Sequence, residues 1–455
     1  MRNLRLMILT LLFLLPNSLV FAQESLSLEQ AVDKALAGNR EVQAAEFDRI
    51  AAGFGIGEAV SHYLPHVSLQ AIHMQTNNPV MAFGTSLNQG TFSLQDFQMN
   101  DPNEPDVTDD YITRIEGTQA IFGGGKIITG IYQASRMYQA QGFARERKKL
   151  DVEYSVSQAY YNALRAQRFV ALTDQVIKTM ERHVKTAKDY YAQGMVLESD
   201  ALQAEVYLAQ AKLANVEANN NFRLALANLN FLLGVERETK WVLSEPPSLQ
   251  CVMPDREELI REALNKRQDL QAMTRKVSVA SAEQGMAATG FIPTIGLKAE
   301  YDFHDEEEWL GDQAEDWTVY LMAKWDIFDG GRDVAKIGKA VYEAKAAKTR
   351  LAQMREGIAL EVTEKFLNLD AAQQKFEVAS ATVKQAERAQ EIQSNRFESG
   401  LLKISDLLDA QTDETKAKTN KLNATYDLIL AKLALRHSVG DQQCGPDYEQ
   451  TTEGN

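Results

Sequence analysis

Apolar and polar residues alternate one by one in short segments of this chain, and in steps of three and four over much longer ones. Across 295–303, Ile295, Leu297, Ala299, Tyr301 and Phe303 share one side, and Gly296, Lys298, Glu300 and Asp302 the other. Across 317–327, Trp317, Val319, Leu321, Ala323, Trp325 and Ile327 alternate with Thr318, Tyr320, Met322, Lys324 and Asp326. Successive side chains of a strand point to opposite faces, so these segments predict strands near 294–304 and 316–328. Weaker alternation predicts two more, near 66–76 and 110–122, with Arg114 and Glu116 on one face.

The longer pattern is helical. Lys126 to Gln193 contains no Pro, and Gly only at 130 and 142. A helix over 126–193 would be roughly 100 Å long at about 1.5 Å per residue. Val152, Val156, Ala159, Ala163, Ala166, Val170, Thr173, Ile177, Met180, Val184, Ala187 and Tyr191 recur at alternating steps of four and three. That is a heptad seam. A second seam runs through Ile358, Val362, Lys365, Leu369, Ala372, Phe376, Ala379, Val383 and Ala386, inside a helix predicted over 332–399. Shorter helices over 199–235 and 405–439 return from each long one. The many seam alanines let helices lie close, and the polar remainder needs water on one side.

These elements come in duplicate. Ile121-Phe122-Gly123-Gly124-Gly125-Lys126 recurs 206 positions later as Ile327-Phe328-Asp329-Gly330-Gly331-Arg332. The same shift carries Gly194 to Gly400, Ser199-Asp200 to Ser405-Asp406, Leu202 to Leu408 and Gly234 to Gly440. Upstream, Ala35-Leu36 maps to Ala263-Leu264 and Pro65 to Pro293 with a shift of 228, so the first copy carries a loop 22 residues longer. The chain divides into a first repeat (23–235), a link (236–256) broken by Pro246, Pro247 and Pro254, a second repeat (257–441) and a tail (442–455).

The start of the chain sets the compartment. Arg2 and Arg5, the apolar run Leu6–Leu15, Pro16 and Val20-Phe21-Ala22 make residues 1–22 a secretory signal peptide cut after Ala22. The cut leaves no N-terminal Cys, so no lipid anchor is expected there. The chain carries −15, and the first 22 residues hold two Arg and no acid, which leaves −17 beyond the cut. Nucleic acid is therefore not a partner, because it selects basic faces. No stretch after the signal is apolar enough for a membrane helix, so a membrane form must use closed β-strands. The alternating segments have the length and the apolar-out, polar-in pattern of such a barrel, with Trp317 and Trp325 suited to its interfacial belts. Four strands cannot close a barrel, since the smallest have about eight, so the chain must oligomerise. A dimer would supply eight strands and a trimer twelve.

The ordered set of motifs resembles the TolC family of outer-membrane channel-tunnels over nearly all of 24–441. Its carriers are the two Phe-x-Gly-Gly turns (Phe122, Gly124, Gly125; Phe328, Gly330, Gly331), the strand entries at Pro65 and Pro293, and two tip motifs, Tyr191 to Leu202 and Phe397 to Ala410. The resemblance implies a mainly α fold with a transmembrane β-barrel: a homotrimer whose twelve strands continue into a twelve-helix periplasmic α-barrel. It implies outer-membrane lipid around the barrel, and docking to an inner-membrane transporter through a periplasmic adaptor. The tips Gly194, Ser199, Asp200, Leu202, Gly400, Ser405 and Leu408 would meet the adaptor. Gly194 and Gly400 suit the positive φ of a helix stop, and Ser199 or Asp200, and Ser405 or Asp406, suit the cap of each returning helix. Asp406 and Asp409 match the acidic rings that narrow the pore in this family; six carboxylates in a trimer would attract cations. Some relatives lock the tip with a Tyr and an Arg; Phe397 and Leu402 stand in those places here, with Lys403 nearby.

Other signals carry less. Gly123-Gly124-Gly125-Lys126 lacks the spacing of a phosphate loop, and Ile127 follows the Lys. His62 and His66 are separated by Pro65, which breaks the helix a metal pair would need. Asp305-Glu306-Glu307-Glu308 reads as a solvated outer loop. No nucleophile–base pair emerges, so neither an enzyme nor a cofactor is expected. Three functions stay open: a passive duct for small molecules fed by a proton-driven pump, a duct for type I protein secretion, and a non-channel coiled coil. The strands disfavour the last, and the family resemblance favours the first over the second.

Cys251 and Cys444 lie just beyond the last helix of each repeat. In the architecture implied by the resemblance both segments wrap the waist of the tunnel, and an oxidising periplasm favours their pairing. A bridge of this span would stabilise by at most about 4–5 kcal/mol in the chain-entropy model. It predicts no thiol reactive to maleimide in the denatured, unreduced protein; two reactive thiols per chain would show the residues unpaired.

Overall fold

The computed structural model describes residues 24–95, 101, 103–246, 255–311 and 313–440. The elements, in chain order, are β1 (Glu24–Leu26), α1 (Leu28–Gly38), α2 (Arg40–Ser61), β2 (His66–Thr76), α3 (Pro79–Asn88), β3 (Thr108–Phe122), α4 (Lys126–Ala192), α5 (Glu198–Leu233), β4 (Trp241–Leu243), α6 (Arg256–Lys266), α7 (Gln268–Ala288), β5 (Thr294–Asp305), β6 (Ala314–Lys324), α8 (Arg332–Glu398) and α9 (Ile404–Val439). They form two compact units. One comprises residues up to 43, 148–266 and from 358 onward; the other comprises 44–147 and 267–357.

Caps and glycines set many of the boundaries. Ser27 opens α1 with a reciprocal capping box: Gln30 N–H donates to Ser27 Oγ (3.2 Å) and Ser27 N–H to Gln30 Oε1 (3.0 Å). Each strand-to-helix turn places two consecutive glycines at positive φ, Gly124 (62°) with Gly125 (91°) and Gly330 (75°) with Gly331 (85°). A side chain at these positions would pay the left-handed penalty, which explains the recurrence of this pair in both repeats.

In the first unit the heptad seam is the core. Val152, Val156, Ala159, Ala163, Thr173, Met180, Val184 and Ala187 are buried, as are Ile358, Val362, Leu369, Ala372 and Val383. The 236–256 link adds a feature absent from the sequence reading: β4 pairs in parallel with β1, Leu26 opposite Leu243. Two buried polar side chains hold this pair in place. The Tyr160 hydroxyl lies 2.7 Å from Leu26 O and 2.6 Å from Ser244 O, so its single proton is shared between the two carbonyls at the strand ends. Asn230 donates through Nδ2 to Arg237 O (3.0 Å) and Thr239 O (2.8 Å) and accepts from Trp241 Nε1 (2.7 Å). One amide thus organises the whole turn after α5.

In the second unit the strands form an antiparallel sheet in the order β2-β3-β5-β6. The register builds rows of like character. Leu69, Ile115, Tyr301 and Trp317 are successive partners, and the adjacent row is Gln70, Arg114, Asp302 and Asp316. The apolar rows are open, with Leu321 72% exposed, while the charged rows are covered, with Asp302 6% exposed. Arg114 grips Asp302 through Nε–Oδ1 (2.8 Å) and Nη2–Oδ2 (2.7 Å) and reaches Glu300 at 3.1 Å. Lys298 bridges Glu116 (3.0 Å) and Glu300 (2.7 Å). Carboxylates and cations are thus neutralised pairwise across the strands on one face, and the other face is left to apolar surroundings.

One strand boundary departs from the alternation. β6 stops at Lys324, so Trp325 and Ile327 lie beyond it although the pattern continues through them. The reason is the partner: β5 begins at Thr294, just after Pro293, and Thr294 already pairs with Lys324. Trp325 turns its indole to donate to Phe291 O (3.2 Å).

Asn230→Ala would leave the Trp241 indole N–H and two carbonyls without their partner. It is expected to cost on the order of 3 kcal/mol, since each buried group left unpaired costs about 1–3 kcal/mol. Urea unfolding followed by tryptophan fluorescence checks this.

Candidate functional site

The two helical hairpins of the first unit end in matching turns. After α4, Gly194 (φ 72°) donates to Tyr191 O and Met195 N–H to Tyr190 O, both at 2.9 Å. After α8, Gly400 (φ 70°) donates to Phe397 O and Leu401 N–H to Arg396 O, again both at 2.9 Å. Both are left-handed stops that satisfy the last helical carbonyls. The returning helices are not capped as the sequence suggests. Their N-caps are Leu197 and Lys403, without side-chain caps. Asp200 sits at the third position of α5 and accepts Leu197 N–H (3.0 Å), while Ser405 makes only a long 3.4 Å bond to Asp406. The tight turns bring the helix start one residue ahead of the Ser-Asp pair, so the acid acts back on the cap from inside the helix.

Below the turns the hairpins share a core of Met180, Val184, Ala187, Ala201, Ala204, Phe397, Ile404, Leu407 and Leu408. Leu408, 0% exposed, belongs to this core and cannot itself meet a partner, whereas its repeat counterpart Leu202 is 54% exposed. Phe397, in the place of the family's Tyr, is buried there too and packs 5.5 Å from the Tyr190 ring. Asp406 and Asp409, one turn apart, lie on the exposed face of α9. Asp409 is not free: Tyr207 of α5 donates to its Oδ1 (3.2 Å), and Tyr190 donates to Glu398 O (3.3 Å). Burial and the bond to Asp409 raise the Tyr207 phenol above its usual value.

A polar network continues this core. Gln390 of α8 donates to Gln411 Oε1 (3.1 Å), Gln411 to Glu414 Oε2 (2.7 Å), and Lys418 pairs with Glu414 (2.7 Å) and Glu387 (3.3 Å). His183 of α4 joins it beside Gln411, with its Nε2 shut from solvent and lacking a partner. Sequence reading missed Tyr207, Tyr190, His183 and Gln411. A signal existed for one: Gln411 and Glu414 continue the buried stripe of Ile404, Leu407 and Leu408, and polar residues on a seam mark a buried network. The two tip motifs, far apart in sequence, are therefore brought together, and the glycine turns at 124–125 and 330–331 belong to the other unit. Cys251 and Cys444 lie outside the described residues.

Duplicated strand–helix repeats, a sheet with its apolar face outward and paired helical tips define a channel subunit of the outer membrane. The model of the outer membrane efflux protein family matches residues 31–235 and 259–441, and the chain belongs to that family. It is 22% identical over 325 residues to the outer membrane protein TolC of Vibrio cholerae, covering 68% of this chain and 74% of that protein. It is 22% identical over 426 residues to TolC of Escherichia coli, covering 91% and 82%. The CmeC outer membrane channel of Campylobacter jejuni superposes with a TM-score of 0.77 at 18% identity, covering 91% of this chain and 85% of that one.

Burial lowers the His183 pKa below 6.5, against the opposing pull of Gln411, Glu398 and Glu414 and with help from Arg182. The unfolded chain then binds more protons near pH 6, so this stability is present above about pH 6.5 and is lost as pH falls below it. Glu153, pushed up to about 7 by burial, acts with the opposite sign, so the measurement is a difference. Thermal unfolding midpoints from pH 7.5 to 5 are expected to fall more steeply for the native protein than for His183→Gln.

Proposed function

We propose that three copies close a twelve-stranded barrel in the outer membrane, continued by twelve periplasmic helices, as a passive export duct. The carrying observation is the sheet itself: apolar rows exposed, charged rows covered, and two edges, β2 and β6, unpaired among the described residues. Unpaired strand edges are not tolerated in lipid, so copies must pair them. In this reading the tips face inward to the cell and meet a periplasmic adaptor, which joins the duct to an inner-membrane transporter. Gly194, Ser199, Asp200 and Leu202 present the contact surface of one tip, and Gly400 and Ser405 that of the other, with Leu408 supporting it from within. Asp406 and Asp409 of three copies form the narrowest acidic ring. Membership of the outer membrane efflux protein family, and relatives such as the toluene efflux pump outer membrane protein of Pseudomonas putida, favour small toxic molecules over secreted protein as the cargo.

The detergent-extracted protein is expected to weigh three chains by native mass spectrometry; a stable monomer would sink the barrel. In planar bilayers the native channel should prefer cations, and Asp406→Asn with Asp409→Asn should lower that preference severalfold and relieve block by trivalent cations. An unchanged selectivity would take both residues out of the pore.

A further inference from the structure

Within the first unit, α4, α5 and α9 enclose a cavity of about 340 Å³ that continues from the shared core of the tips. Protein interiors are close-packed, so a hollow of this size between helices has a cause. Here the cause is side-chain size. In the tip core α9 presents Ile404, Leu407 and Leu408. Further along, it presents Thr412, Thr415 and Thr419 to the cavity, and α5 presents Ala211 and Ala214. The remaining wall is Phe169, Leu172, Val176 and Met180 of α4. Short side chains on two helices leave open what leucines would fill.

Most polar atoms around this hollow are engaged elsewhere. Thr412 Oγ1 donates to Leu408 O and Thr415 Oγ1 to Gln411 O, each at 2.8 Å. Such bonds back to the preceding turn leave the threonine methyl groups to meet a neighbour. Thr173 donates to Val170 O (2.8 Å) and accepts from Asn215 Nδ2 (2.9 Å). The Tyr207 hydroxyl is given to Asp409. The interior is therefore apolar in effect. Three lining groups have no partner among the described residues: the Gln210 amide, the Lys416 ammonium and the Thr419 hydroxyl. Gln210 and Lys416 are exposed, at positions related by the 206-residue shift, and they mark the mouth. Lys418, two residues on, is by contrast held by Glu414 and Glu387. The lining contains no Asp or Glu.

We propose that this cavity binds a small organic anion, its apolar body held between α4, α5 and α9 and its single carboxylate at the mouth, against Lys416 and Gln210. The volume falls in the range of small-molecule pockets, about 300–1,000 Å³. Seating an apolar body there removes its surface and that of the walls from water. It also restores dispersion contacts that the walls of a hollow lack. The sign of the charge follows from the lining, which offers one cation without a counter-ion and no carboxylate to receive a positive ligand. One chain's own helices build the site, so the proposal does not rest on the export-duct reading.

Benzophenone-4-carboxylate is a suitable probe: its body is apolar, its charge is single, and its ketone cross-links on irradiation. The full chain, moved from detergent into phospholipid nanodiscs, is expected to be labelled saturably, with adducts mapped by mass spectrometry to 169–180, 207–214 and 412–419. Lys416→Gln is expected to raise the half-saturating concentration of this probe severalfold and to leave that of neutral benzophenone-4-carboxamide as it was. Ala214→Phe, which fills the hollow, is expected to remove saturable labelling by both probes; should it fail to fold, the Lys416→Gln comparison decides. Labelling that does not saturate or falls elsewhere, a folded Ala214→Phe that labels as the native chain does, or Lys416→Gln with native affinity for the carboxylate overturns the site. A cavity covered by a neighbouring copy would leave the assembled protein unlabelled there, which overturns it equally. The readout needs neither conductance nor a trimer, so its failure is distinct from failure of the duct.

Discussion

Among the described residues, the outer edges of β2 and β6 pair with no other strand, and the proposed assembly answers to that constraint. In lipid there is no water to satisfy them, so the sheet is viable only as part of a closed ring. Closure decides which face is which. In the proposed barrel, rows such as Leu69, Ile115, Tyr301 and Trp317 would face hydrocarbon, and rows such as Gln70, Arg114, Asp302 and Asp316 the enclosed water. The bidentate grip of Arg114 on Asp302 and the Lys298 bridge let charges crowd the inner wall without net repulsion. The same pairs fix register, because a slip of one residue would send each charge to the apolar face.

In the other unit, buried polar groups serve a different end. Ala-rich seams pack closely but specify poorly, since many registers of small residues look alike. Asn230 removes that freedom near the link by fastening Trp241 and the turn carbonyls. The Gln390–Gln411–Glu414–Lys418 chain does so near the tips, where α8 and α9 meet His183 of α4. Tyr207 adds a tie from α5 to Asp409, a carboxylate exposed on α9. With Phe397 buried against Tyr190, aromatic packing and Tyr207 hold the first tip to the second.

Periodicity made the strands and long helices legible, because each period follows from one backbone geometry. The duplication made the tips and glycine turns legible, because two copies of an odd feature are harder to mistake than one. What stayed hidden depended on contacts between distant segments. The short pairing of β1 with β4 involves three residues on each strand and leaves no periodic trace. The end of β6 was set by where β5 begins, not by its own alternation. The helix caps were misplaced because Ser-Asp pairs signal a cap equally well from the cap or from inside the first turn. α3 was invisible because its apolar residues read as a loop when no core was in view to receive them.

The two outer loops also show what duplication makes available. Once one gene segment becomes two, its copies share a scaffold but not a fate. Here the copy with the insertion turned its loop onto the charged wall, and its twin turned onto the apolar one. Lengthening or shortening the single stretch between β2 and β3 therefore alters one loop of the sheet and leaves its twin as it was. The helical hairpins belong to the other unit. In the proposed duct, cargo range and partner choice would then be separately heritable traits of one polypeptide.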